Sequence, residues 1–147
     1  MEAAANRRAI EGRDVVSRDE SAIQRGDLKT EGEALSYEMA DTAARAASEM
    51  FAKDVTLVDL RGLVSYTDYF VIASAETERQ TRRVAEEVIE RMIRSGHRPR
   101  SKRIEEGTTW ISLDFTDIVV HIFTDEARDY YRLESLWRSA PQKRWED

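Results

Sequence analysis

The sequence predicts one α/β domain of the α+β kind, in which helices flank a mixed sheet of about five strands. Two observations predict it. Short runs rich in β-branched and aromatic residues alternate with longer segments in which apolar residues recur at helical spacing. The chain has 147 residues, of which 41% are hydrophobic, and this is enough for one core. The predicted order of elements is α-β-β-α-β-β-β-α.

The domain is predicted to span residues 36–140. Residues 1–35 are predicted to form a flexible, charged N-terminal extension, because they contain few large apolar residues and many charged ones. Such a segment buries too little apolar surface to offset the entropy that ordering removes. Residues 141–147 are predicted to be a C-terminal tail, because a proline is followed there by mostly charged residues.

The first helix is predicted to begin at Ser36, which is a suitable N-cap residue. Small and apolar residues then recur at helical spacing: Ala40, Ala43, Ala44, Ala47, Met50 and Phe51. The second helix is predicted to follow Thr77, because its spacing to Gln80 is that of a capping box. Ser95 and Gly96 are expected to end that second helix.

Strands are predicted from short apolar runs. The run at 68–73 is almost continuously apolar, which is typical of a strand covered on both faces. The predicted strands are 55–60, 68–73, 110–114 and 118–123, with a weaker one at 100–104. A third helix is predicted from Asp125, with Thr124 as its N-cap.

The last two strands are predicted to pair as a tight hairpin around Phe115 and Thr116. In that register Trp110 lies opposite His121. Since side chains alternate across a strand, five aliphatic residues share the core face: Ile111, Leu113, Ile118, Val120 and Ile122. The other face is predicted to be only partly buried, and it carries Trp110, Ser112, Asp114, Asp117, Val119, His121 and Phe123.

Two groups of residues are candidates for binding a partner. Trp110 and His121 are predicted to stack on an exposed sheet face, where large aromatic residues anchor interfaces. The alternative is that a helix covers both residues and that they belong to the core. The residue pattern alone does not decide between these two interpretations. A C-terminal stripe adds Arg128, Tyr130, Tyr131, Glu134 and Trp137, with Leu133 and Leu136 expected in the core. Arg128 is expected to pair with Glu134 or Asp125.

The charge of the chain is unevenly distributed. The formal net charge is -6, which is unlike a dedicated nucleic-acid binder. From Arg79 to Arg103, however, nine Arg and Lys residues stand against three Glu. This segment is interpreted either as a solvated helix face, which is favoured, or as a surface that contacts RNA.

Several classes of function are disfavoured. The chain has no cysteine and only two histidines, so thiolate chemistry is excluded and a metal site built on a histidine pair is not expected. Asp114 and Asp117 are attributed to turn chemistry rather than to metal binding or acid–base catalysis. No cofactor, no metal and no catalytic residue is predicted. Without a secretory signal or an apolar stretch of roughly 20 residues, a cytoplasmic protein that does not span a membrane is expected.

Blocks of residues between about 38 and 140 occur in an order and spacing that match a known family. The first block is TDYFVIAS at 67–74, followed by Thr77, Arg79 and Gln80. The second is Glu106 and Gly107, then WISLDFTDIVVHIF at 110–123 and EARDYYRLESLW at 126–137. Together they resemble the signatures of the ribosomal silencing factor RsfS, or Iojap, family. The family usually has glycine where this chain has Ala75 and Thr116, and tyrosine where it has Phe115.

The resemblance implies a function and a fold. Similar proteins bind ribosomal protein fourteen of the large subunit, prevent the small subunit from joining, and repress translation during starvation. The implied fold is nucleotidyltransferase-like, and homodimers are implied for the free protein. The resemblance favours the partner-binding interpretation of Trp110, Asp114, Asp117, Val119, His121, Phe123, Arg128, Tyr130, Tyr131, Glu134 and Trp137. Two alternatives are a nucleotidyltransferase-like enzyme, which is disfavoured, and an accessory RNA-binding module.

Overall fold

The structure is a computed structural model that describes residues 30–104 and 109–147. In these residues, helices cover both faces of a mixed sheet of six strands. The helices are α1 (Glu31–Glu49), α2 (Glu78–Arg94), α3 (Asp125–Tyr131) and α4 (Leu133–Leu136). The strands are β1 (Lys53–Asp59), β2 (Tyr69–Ala75), β3 (Ser101–Ile104), β4 (Trp110–Asp114), β5 (Ile118–Thr124) and β6 (Gln142–Arg144). The predicted α+β class is confirmed, with one strand more than expected.

The sheet has the strand order β3-β4-β5-β2-β1-β6. Only the central β2–β5 pair is parallel, and every other neighbouring pair is antiparallel. Every residue of β2 is buried, as its continuous apolar sequence predicts. None of the helices in the described residues is long and apolar enough to cross a membrane.

Two apolar clusters lie on opposite faces of the sheet. On one face, α1 and α2 pack over the five aliphatic side chains of β4 and β5 that the alternation pattern assigned to the core. Fully buried alanines of α1 line the contact and allow a close approach to the sheet: Ala40, Ala43, Ala44 and Ala47. On the other face, α3, α4 and the segment after them cover Phe70, Ile72 and Phe123.

Helix α1 begins earlier than predicted. Thr30 is its N-cap and accepts a hydrogen bond from the Glu33 N–H at 3.0 Å. Ser36, the predicted cap, is buried within the helix, and its hydroxyl donates to Asp68 Oδ2 at 2.7 Å. Helix α1 therefore begins within the predicted N-terminal extension, whose residues 1–29 lie outside the described part of the chain.

The caps predicted for the later helices are confirmed. Thr77 accepts a hydrogen bond from the Gln80 N–H at 3.1 Å. Helix α2 ends at Arg94 with Ser95 as its C-cap, and Gly96 follows in the left-handed region with φ 93°. Thr124 caps α3 by accepting from the Ala127 N–H at 3.1 Å.

The predicted C-terminal tail contains a strand. β6 pairs with β1 at the edge of the sheet, and Gln142 Nε2 donates to two main-chain oxygens near α4 at 3.0 Å. Trp145 then donates from its ring to Asp41 Oδ1 on α1 at 2.8 Å. An edge strand is held largely by main-chain hydrogen bonds, so its polar sequence carries little of the apolar pattern that predicts a strand.

The hairpin register differs from the prediction by two residues. Trp110 lies opposite Phe123, not His121, and Asp114 lies opposite Val119. Phe115 continues the ladder toward Ile118 and is buried, so the connection is residues 116–117. A shift by two keeps every side chain on its face, which is why the predicted core residues are correct although the predicted pairs are wrong.

Thr116 is the first residue of this turn and has φ 76°. The Phe115 carbonyl accepts from the Asp117 N–H at 2.9 Å, and Asp114 Oδ1 accepts from the Thr116 N–H at 2.7 Å. A β-branched residue is strained at positive φ, whereas glycine is not. Thr116→Gly is therefore expected to raise the free energy of unfolding by about 1 kcal/mol, measured by urea denaturation. Ser65→Gly, in an exposed loop without positive φ, is the control, and an equal gain there would contradict the explanation.

Candidate partner-binding surface

Seven aromatic side chains form a continuous cluster between the sheet and the C-terminal helices. The aromatic cluster comprises Phe70, Trp110, His121, Phe123, Tyr130, Tyr131 and Trp137. Its inner end is Phe70, whose ring meets those of His121 and Trp137 edge-on. Its outer end is Tyr130, which is 80% exposed. The cluster therefore connects the core to the surface.

Trp110 lies in the middle of the cluster and is half-buried. Its ring stacks on Phe123 with centroids 4.9 Å apart and contacts Tyr131 at the same distance. Its indole N–H donates to His121 Nδ1 at 3.1 Å. The predicted contact between Trp110 and His121 thus exists, but it joins diagonal neighbours and is made by a hydrogen bond.

His121 is buried and neutral. Since an indole nitrogen can only donate, Nδ1 is the acceptor and the imidazole proton is on Nε2. Nε2 is itself buried and has no hydrogen-bond partner among the described residues. Burial lowers the pKa of His121 from its ordinary value of 6.5 to about 3. The side chain is therefore an uncharged part of the second apolar cluster at neutral pH.

Three aromatic residues that were predicted to reach a partner, two on the sheet face and one in the C-terminal stripe, are not exposed. His121, Phe123 and Trp137 are buried. The reason is that α3 and α4 fold back over the sheet, with Ala127 and Leu133 packed in the same apolar cluster. For this part of the face, the alternative interpretation from the sequence is correct: helices cover the aromatic residues, which belong to the core.

The exposed part of the surface lies at the outer end of the cluster. The Tyr130 ring meets that of Tyr131 edge-on with centroids 4.9 Å apart. Beside them is a groove of about 420 Å³, lined by Thr109, Thr124, Glu126, Ala127, Tyr130 and Tyr131. Val119 is half-buried at the margin of the same apolar cluster.

Arg128 anchors α3 to the sheet. Its guanidinium contacts Glu134 Oε2 through Nη2 at 2.7 Å and Nε at 2.8 Å. It also donates to the Lys53 carbonyl, the Ser74 hydroxyl and the Thr56 hydroxyl at 3.2 to 3.3 Å. The predicted pair with Glu134 is confirmed. The Arg128 side chain is only 12% exposed, so in this structure it mainly attaches α3 to α4 and to the sheet.

The two aspartates of the hairpin do not form a carboxylate pair with a common partner. Asp114 is bound to Arg100 at 2.8 Å and to the Thr116 N–H, as turn chemistry predicts. Asp117 is exposed. Within residues 30–104 and 109–147, no three His, Asp or Glu side chains are grouped so that they can hold a metal ion.

Sequence reasoning misplaced one apolar residue of helix α4. Leu136 was expected in the core with Leu133, but it is 43% exposed whereas Leu133 is buried. Helix α4 has only four residues, and Arg132 before it has φ 48°. The left-handed residue breaks the helical period, so spacing carried across it from α3 does not identify the buried side.

The basic segment divides into paired and unpaired residues. Arg91, Arg94 and Arg100 form ion pairs with glutamates or with Asp114. Five others are exposed and have no ion pair with any residue that the structure describes: Arg79, Arg82, Arg83, Arg98 and Lys102. Three of these five lie in the first turns of α2, so the unpaired positive charge is concentrated there.

Comparison with known proteins identifies a family and several relatives. The family profile described as RsfS, ribosomal silencing factor during starvation, matches residues 33–147. The ribosomal silencing factor RsfS of Bacillus subtilis is 31% identical over 99 residues, which are 67% of this chain and 84% of the relative. The mouse protein named mitochondrial assembly of ribosomal large subunit protein 1 is 28% identical over 89 residues, 58% of this chain and 39% of its own. A crystal structure of a Chromobacterium violaceum protein has a TM-score of 0.65 and 28% identity, and covers 68% of this chain and 83% of that one.

Proposed function

The chain belongs to the RsfS family of ribosomal silencing factors during starvation, and from this premise we propose that it binds the large ribosomal subunit. The contact on that subunit is its ribosomal protein fourteen. Occupying this site blocks the small subunit from joining and represses translation when nutrients are limiting. The protein acts in the cytoplasm as a steric regulator and not as an enzyme.

The names of relatives support a ribosomal partner. The family description refers to ribosomal silencing, and the mouse relative is named for the assembly of the ribosomal large subunit. Nothing in the described carboxylates favours nucleotidyl transfer. Asp59 is paired with Arg61, Asp68 accepts from Ser36, and Asp114 is paired with Arg100.

The observation that carries the proposed docking surface is Tyr130. The Tyr130 ring is 80% exposed and contacts the ring of Tyr131, which belongs to the aromatic cluster. A tyrosine has only two side-chain torsions, so it offers a large contact area and loses little conformational entropy on binding. The proposed contact residues are Trp110, Val119, Tyr130 and Tyr131, together with Leu136, which is exposed in the structure although the sequence predicted it in the core. Asp114 and Asp117 are proposed as the polar rim beside Val119.

The remaining residues of the predicted site lie beneath the proposed docking surface. His121, Phe123 and Trp137 are buried beneath it and hold the Trp110 ring or the helices in position. Arg128 and Glu134 fix α3 against the sheet through their ion pair. We therefore propose that these five act as positioning residues rather than as contacts.

The proposal predicts a loss of ribosome binding without a loss of stability. Tyr130→Ala is expected to weaken binding to large subunits at least about tenfold, because central aromatic anchors contribute about 2 kcal/mol or more. Its Tm should change little, because the side chain is mostly exposed. The measurement is sucrose-gradient co-sedimentation with isolated large subunits, combined with a subunit-joining assay.

A matched pair of leucines provides the control. Leu136 and Leu35 are similarly exposed, at 43% and 46%, but Leu35 lies on α1, which packs on the opposite face of the sheet. Leu136→Ala should weaken co-sedimentation and Leu35→Ala should not. Normal co-sedimentation of both Tyr130→Ala and Leu136→Ala would show that the docking surface lies elsewhere.

Two further parts of the proposal concern RNA and self-association. The unpaired arginines in the first turns of α2, Arg79, Arg82 and Arg83, are proposed to contact ribosomal RNA beside the protein contact. Binding to large subunits should then weaken steeply as the salt concentration rises.

A homodimer of the free protein, which the resemblance implies, is tested separately by sedimentation equilibrium.

A further inference from the structure

Phe51 is an aromatic residue in a position that normally requires glycine. It follows Met50, the C-cap residue of α1, and has φ 67°. The Phe51 N–H donates to the Ser48 carbonyl at 2.9 Å and the Ala52 N–H donates to the Ala47 carbonyl at 3.0 Å. These two bonds are those of a Schellman motif, in which this residue is left-handed and usually glycine. A side chain at this position strains the backbone.

The Phe51 ring does not offset this strain by burial. It is 79% exposed, more than any other large apolar side chain in the described residues except Tyr130. A phenylalanine at this position therefore strains the backbone and buries little apolar surface, so it does not stabilise the fold. A strained and exposed aromatic residue is better explained by a contact outside the chain.

The Phe51 ring borders a groove with a basic rim. The groove has a volume of about 500 Å³ and is lined by Met50, Phe51, Thr77, Arg79, Gln80 and Arg83. Gln80 accepts from the Glu76 N–H at 3.2 Å and donates to the Phe51 carbonyl at 3.5 Å. The residue that carries the ring is thereby held at a defined position beside the first turn of α2.

The charges around the groove favour an anion. Arg79, Arg82 and Arg83 are exposed and make no ion pair with a described residue. The nearby Glu76 lies 3.6 Å from Lys53, whose shorter contact is with Asp125 at 2.8 Å, and Glu76 is not among the residues that line the groove. The amino end of α2 adds its partial positive charge on the same side. The groove therefore combines an exposed flat ring with several cations.

We propose that this groove binds an unpaired RNA nucleotide, with its base stacked on Phe51 and its phosphates against Arg79 and Arg83. Stacking on an aromatic side chain beside a positively charged track is the chemistry by which proteins hold single-stranded nucleic acid. The inference rests on the proposed function, because it assigns a nucleotide site within the proposed contact of α2 with ribosomal RNA.

Phe51→Gly separates this role from folding. Glycine removes the ring and relieves the left-handed backbone, so the variant should melt at a higher temperature than the parent. Its affinity for a fluorescein-labelled ten-nucleotide adenylate RNA, measured by fluorescence anisotropy, should fall about tenfold because one stacked base is lost. Phe51→Trp, which keeps a flat ring, should bind the RNA within about twofold of the parent.

Arginine variants test the basic rim. Arg83→Gln should weaken RNA binding and make its dependence on salt shallower. Arg94→Gln is the matched control, because Arg94 lies at the far end of α2 and is paired with Glu90 at 2.7 Å. Equal losses in the two variants would indicate a diffuse attraction and overturn the assignment of this groove.

Three other outcomes would overturn the nucleotide site. Unchanged RNA affinity in Phe51→Gly would do so, as would an equal loss in Phe51→Trp. Reduced co-sedimentation of Phe51→Gly with large subunits, at unchanged RNA affinity, would assign Phe51 to a protein contact instead. Failure of the parent protein itself to co-sediment with large subunits would refute the proposed function, which the RNA measurement does not test.

Discussion

Lowering the pH from 6.5 to about 4.5 is expected to reduce the free energy of unfolding by about 2–3 kcal/mol more in this protein than in its His121→Asn variant. Burial holds the pKa of His121 at about 3 in the folded chain, whereas the unfolded chain takes up the proton near 6.5. The unfolded state therefore binds the proton first as the pH falls. Stability from the neutral imidazole is complete above pH 6.5 and is lost as the pH falls toward 3.

The asparagine variant isolates this effect. Its side-chain oxygen can still accept from the Trp110 indole N–H, as His121 Nδ1 does at 3.1 Å, but it does not titrate. Carboxylates titrate in both proteins, so the quantity to compare is the difference between the two pH profiles from urea denaturation. Parallel profiles would mean that the imidazole is charged or hydrated in the folded protein.

Arg128→Met is expected to lower the free energy of unfolding by about 2–3 kcal/mol. Three hydrogen bonds to β1 and β2 and the ion pair with Glu134 are lost together. Glu134 is then left half-buried without its cation, and α3 loses its attachment to the sheet. The measurement is urea denaturation at neutral pH.

A double-mutant cycle separates the ion pair from the other contacts. If the unpaired carboxylate is an important part of the loss, Arg128→Met should cost less in a Glu134→Gln background. Arg128→Lys should restore only part of the stability, because an ammonium group cannot donate in the fork that reaches Glu134 and the sheet. Full stability of Arg128→Lys would show that the fork geometry is unimportant.

Local chemistry in the sequence was sufficient to predict much of the fold. The period-two pattern of β4 and β5 identifies Ile111, Leu113 and Val120 as core residues, and they are fully buried. Thr77 predicts its capping interaction correctly because the three-residue spacing to Gln80 determines the geometry. The ordered family blocks predict the RsfS family, which the profile match confirms.

Features that depend on neighbouring segments could not be predicted in this way. The hairpin register was wrong because a shift by two residues leaves the apolar pattern unchanged. The strand β6 was missed because main-chain pairing with β1 requires no apolar side chain.

The sequence by itself determined which residues share each face of the sheet, because side-chain alternation is a local property of the backbone. Only the tertiary structure decided which of the aromatic residues near the second face are exposed. His121 and Phe123 are buried and Tyr130 is exposed because α3 and α4 fold back over one part of the sheet. Their position depends on long-range contacts such as that of Arg128 with the Lys53 carbonyl, and no local pattern encodes such contacts.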